Sequence, residues 1–235
     1  MSRRPTRLTY GLVEDTKTGR CWLENELETE RTHLEAGFEL VDQCTQIFNE
    51  LSKKHGDSQI GHFARVCGIA TSKGRNLLLS CFSLAMDGLS QESGALLRPL
   101  LEVIELLTYL RLDPKRVEEV LTSKLPSAGN IAKIIDGKFK FLRDYLNEDA
   151  SHFSFGFYSV FHLVDLEKSE IRSTESQSVE VLKRNLVTIA SFFVFLMGEA
   201  MSCLYEAGYD ASTLAQTFEQ WRMKTKTLFP SAPNK

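Results

Sequence analysis

Glu92-Ser-Gly-Ala-Leu-Leu-Arg-Pro-Leu-Leu-Glu-Val-Ile-Glu-Leu-Leu-Thr-Tyr-Leu-Arg-Leu112 decides how the chain is read. It reads as one long helix, apolar around most of its girth. Arg98, Glu102, Glu105 and Tyr109 recur at steps of four, three and four. At roughly 100° per residue they share one stripe about 60° wide. Leu97, Leu100, Leu101, Val103, Ile104, Leu106, Leu107 and Leu110 cover the remaining surface. Such a helix belongs at the centre, with neighbours on several sides. Its polar stripe is then either a narrow seam to solvent or an internal site whose charges satisfy one another. Ser90 is placed to cap it, and Pro99 removes one backbone bond and is expected to kink it.

Outward from that stretch the periodicity stays helical. Residues from Trp22 to about His55 put Leu27, Leu34, Phe38, Val41, Ile47, Phe48 and Leu51 on one face. Lys53, Lys54, His55 and then Gly56 form a stop signal. A second helix is expected from Asp57 or Ser58 to Asp87. Gly61, Gly68 and Gly74 weaken it by about 1 kcal/mol each, which leaves a break near Thr71–Gly74 open. Asp113-Pro114 starts a short helix to Leu121, and residues from Ser127 to about Asn147 form another. Residues 151–164 alternate aromatic and small side chains, which suits a short hairpin or an aromatic loop. Val179 to Glu206 reads as a second nearly all-buried helix, and Ser212 to Leu228 as the last.

The expected fold is therefore all-α, a single antiparallel helical bundle of about six or seven helices. Residues 1–20 are expected to be an arm, 21–228 the bundle and 229–235 a tail. The composition is ordinary for a globular chain, and the net charge of −3 offers no global attraction for nucleic acid or an anionic membrane. No apolar run approaching the roughly 20 residues of a membrane span stands out. Cys21, Cys44, Cys67, Cys81 and Cys203 are an odd, widely spaced set without a Cys-x-x-Cys pair. That pattern favours a reducing, cytoplasmic setting over disulfides or zinc.

Chemistry concentrates in Arg143-Asp-Tyr-Leu-Asn-Glu-Asp-Ala-Ser-His152. A histidine transfers protons near neutral pH, and an arginine can hold a phosphate through two nitrogens. The bland alternative has His152 capping a helix end and Arg143 pairing with an acid.

Ala95-Leu-Leu-Arg98-Pro-Leu-Leu-Glu102, followed by Tyr145 and Ser151-His152, resembles a widespread bacterial all-α family of unknown function. The likeness covers roughly residues 60–160. More distantly, Arg143-Asp144 with His152 is similar to the HEPN superfamily, helical domains often acting as metal-independent ribonucleases in toxin–antitoxin and phage-defence systems. Eight residues separate Arg143 from His152, more than that superfamily's motif has. The resemblance implies RNA as substrate, an antitoxin as partner, a homodimer, and no cofactor. It also implies the roles: Arg143 stabilising phosphate charge, His152 moving the proton, Asp144 orienting one of them.

Two further readings come from the residues themselves. Glu30-x-x-His33 and Asp149-x-x-His152, with Glu102 and Glu105, have the spacing of a di-metal carboxylate bundle, although no metal is the simpler expectation. The aromatic segment 153–161 suits a docking surface for a protein partner in a non-enzymatic interaction module. Arg98, Glu102 and Glu105 can also simply hold one another, with Glu199 extending the network.

Overall fold

The computed structural model describes residues 17–146, 164–165, 170–171 and 178–229. Residues 17–25 form α1, so the last part of the expected arm is helical. It closes where the Trp22 carbonyl accepts the backbone N–H of both Glu26 and Leu27. α2 (Glu28–His55) follows, and Gly56 ends it with φ 56°, a left-handed value that glycine adopts without strain. α3 (Gln59–Met86) starts at Ser58, whose Oγ accepts the Gly61 N–H at 3.2 Å.

α3 runs unbroken, as the helix read from Asp57 or Ser58 to Asp87, without the break that its glycines left open near Thr71–Gly74. Its glycines serve close approach. A Cβ on Gly68 would lie 2.9 Å from Phe48 Cβ on α2, and one on Gly74 would lie 2.8 Å from Leu196 Cδ1. The loss of helix propensity is offset by letting neighbours pack nearer.

The central stretch divides where Pro99 has no N–H to give Ala95. α4 (Ser90–Ala95) and α5 (Leu97–Leu112) meet at Leu96. Ser90 is the first residue of α4, with Leu89 at the cap position, and its Oγ accepts from Asn185 at 2.8 Å. Asp113 Oδ1 accepts the Lys115 N–H, and a turn of 3₁₀ helix leads into α6 (Val117–Leu121).

The helix expected from Ser127 to about Asn147 is two: α7 (Ala128–Ile134) and α8 (Lys140–Tyr145). Asp136 and Gly137 take positive φ of 56° and 62° between them, which reverses the backbone and ends α7. Ile131, Ile135, Phe139 and Leu146 nonetheless all face the core. Val164–Asp165 pairs antiparallel with Glu170–Ile171. The aromatic residues expected to form a hairpin or loop, 151–163, lie outside the described residues. Ser178 caps α9 (Val179–Glu206) through the Val181 N–H, and α10 (Ser212–Leu228) completes the fold.

α2, α3, α5 and α9 pack on one another around a shared core. α5 touches α3, α9 and α7, and α10 lies against α2 and α9. By length and composition α9 is apolar enough to cross a membrane, which the sequence reading overlooked. Here that surface is core: Ile189, Ala190, Phe193, Leu196, Met197 and Leu204 are all buried.

Candidate functional site

The polar stripe of α5 is where residues 116–143 seat. At its open end Arg98 Nε donates to Glu102 Oε1 at 3.2 Å, and Arg98 Nη1 reaches the Arg143 carbonyl at 3.4 Å. Both side chains keep some water contact. One turn further in, Glu105 is 1 % exposed. Arg143 meets it with two nitrogens, Nε to Oε1 at 3.0 Å and Nη2 to Oε2, and Nη2 also points at the Ala128 carbonyl. At the far end the buried Tyr109 hydroxyl donates to Glu119 Oε2 at 2.7 Å. Burial first, and the Glu119 carboxylate next, push its phenol up to about 12. Arg116 lies over the Tyr109 ring at 4.2 Å and donates to its carbonyl.

The polar stripe and Arg143, read separately from the sequence, are thus one network. The carboxylate that holds Arg143 is Glu105; the adjacent Asp144 is exposed. His152 and residues 147–163 lie outside the described residues, as does the side chain of Tyr145. The structure therefore joins Arg143 to Arg98, Glu102 and Glu105, and leaves Tyr109 with Arg116 and Glu119 instead.

A second buried acid escaped the sequence reading in its actual role. Glu199 on α9 accepts from Arg111 Nε at 3.1 Å and is paired with Lys138, from the turn between α7 and α8. It joins that turn and the end of α5, not the Arg98 group. Its signal was present: an acid within an otherwise apolar helix needs a cation nearby.

The acid–x–x–His pair on α2 is committed elsewhere. Glu30 pairs with Lys183 Nζ at 2.8 Å. His33 Nε2 lies 2.7 Å from Thr225 Oγ1, and its ring stacks on Trp221 with centroids 4.7 Å apart. Burial, with Lys224 adding to it, lowers its pKa to about 4, so it is neutral at pH 7. Among the described residues no group of three His, Cys, Asp or Glu side chains is placed to hold a metal. Cys44 and Cys81 are buried, which pushes their thiols up to about 12 and 11, far from nucleophilic thiolates.

A groove of about 500 Å³ runs between α2 and α3, lined by Asn49, Ser52, Arg65, Gly68 and Ile69 among others. Asp42 at its edge is held by Arg75 through two bonds of 2.5 and 2.9 Å. Arg65, the cation among the lining residues, is bonded to Ser52 at 3.3 Å.

Compared with known protein families, curated proteins and solved structures, the chain matches none.

Proposed function

We propose that the chain is a non-enzymatic interaction protein, built on an antiparallel helical bundle, which presents α7, α8 and the aromatic segment after them to a protein partner. One observation carries this reading: the guanidinium of Arg143 is consumed by the buried Glu105. A phosphate would have to displace a bidentate carboxylate and leave that acid buried without a counter-charge. Breaking such a pair costs about 3–5 kcal/mol, more than one phosphate contact returns. Support also comes from α8, where Phe141 stands 66 % exposed, twelve residues before the segment begins at Phe153. Aromatic anchors carry much of the binding energy at protein interfaces, and Phe141 is available as one.

The second reading is a HEPN-like ribonuclease acting through Arg143, Asp144 and His152 as a homodimer. Arg98 at the Arg143 carbonyl favours it, because two arginines then stand at the helix end that leads to His152. Incubating the purified chain with a mixed-sequence RNA, with and without EDTA, separates the two. The interaction reading expects intact RNA in both. Cleavage that survives EDTA and disappears in His152→Ala overturns it.

A further inference from the structure

Residues 124–141 carry a pattern that neither the core nor the buried acids use. Leu125, Ile134 and Phe141 are 37 %, 44 % and 66 % exposed, and each follows an exposed lysine: Lys124, Lys133 and Lys140. Lys138, by contrast, is spent on Glu199, and Ile131, Ile135 and Phe139 on the core. Lys138 ties the segment to Glu199, and Arg143, two residues past its end, ties the rest of α8 to Glu105, so the segment's solvent side is backed by the bundle.

Resting on the interaction reading above, we propose that this side of residues 124–141 docks an acidic, amphipathic helix of a protein partner. Charge complementarity chooses the partner's sign: lysines beside apolar side chains meet carboxylates beside apolar side chains. Such a helix places acids and leucines three and four residues apart, and so offers both to one surface. Leu125 and Ile134 have no ring on which a base could stack, which disfavours single-stranded nucleic acid. α7 has seven residues and α8 six, which disfavours a helix lying in a membrane interface.

The test is fluorescence anisotropy of the full chain with a labelled synthetic helix of alternating glutamate and leucine faces. A scrambled peptide of equal composition, a uridine oligonucleotide and vesicles containing phosphatidylglycerol run alongside. The helix is expected to bind better than all three, and Phe141→Ser to weaken it about tenfold. The double variant Lys133→Glu/Lys140→Glu should lose this helix and gain one with lysine in place of glutamate. Equal binding of the scrambled peptide, indifference to these substitutions, or preference for the oligonucleotide or vesicles overturns the proposal. RNA left intact with no peptide bound removes this inference alone; RNA cleaved removes the interaction reading as well.

Discussion

At the scale of single residues the molecule is governed by a few side chains that cannot reach water. Glu105, Glu199 and Glu30 are buried acids, and each is met by a cation from another element: Arg143, Lys138 with Arg111, and Lys183. His33 is the buried base left neutral. Its folded pKa of about 4 lies below the ordinary 6.5 of an unfolded histidine, so the unfolded chain binds its proton first. The stability it contributes is complete above pH 6.5 and is lost as pH falls from there toward 4, about 3 kcal/mol in all. Urea midpoints at pH 7 and pH 4.5 check this. The wild type should lose more than His33→Gln between the two, and parallel losses would refute the assignment. The spacing of Arg98, Glu102, Glu105 and Tyr109 was legible from helical geometry. So was the Arg98–Glu102 contact, four residues apart on one helix. The partners of Glu105 and Tyr109 were not, because Arg143 and Glu119 arrive from other elements and periodicity carries no information about that.

At the scale of elements, helix propensity and packing pull against each other in α3. Alanine at position 68 gains up to about 1 kcal/mol of propensity but places its Cβ 2.9 Å from Phe48 Cβ, an atom fixed to the backbone of α2. Gly68→Ala should therefore destabilise by about 1–3 kcal/mol. Gly74→Ala meets the flexible end of Leu196 and should cost less. Gly129→Ala, in α7 with open space around it, should stabilise slightly. Thermal melts of the three give the order; a stabilised Gly68→Ala would contradict the packing described. From sequence these glycines read only as weak points, since close approach belongs to the partner helix. The ends of α9 and α10 were readable from Ser178, Gly208 and the apolar pattern. The division of α7 from α8 was missed although Asp136-Gly137 is a turn signal, because the apolar spacing continues across it.

At the scale of the whole molecule, α5 and α9 form the interior and the chain from 116 to 146 is fastened against them through the two acids they present. This fastening places Arg143 as an anchor of α8. It also gives the surface proposed for a partner a fixed shape, since the same bonds hold its back. The sequence singled out Arg143 for chemistry because arginine before a histidine is a pattern of residue types. Only the fold shows the carboxylate that takes it. The most direct measurement is a double-mutant cycle in urea on Glu105 and Arg143, using Glu105→Gln, Arg143→Met and the pair. The account predicts that Arg143→Met alone destabilises by about 3–5 kcal/mol, and that the double variant recovers a large part of the loss. An Arg143→Met protein as stable as wild type, or strictly additive losses, would contradict it and return Arg143 to the list of residues free for chemistry.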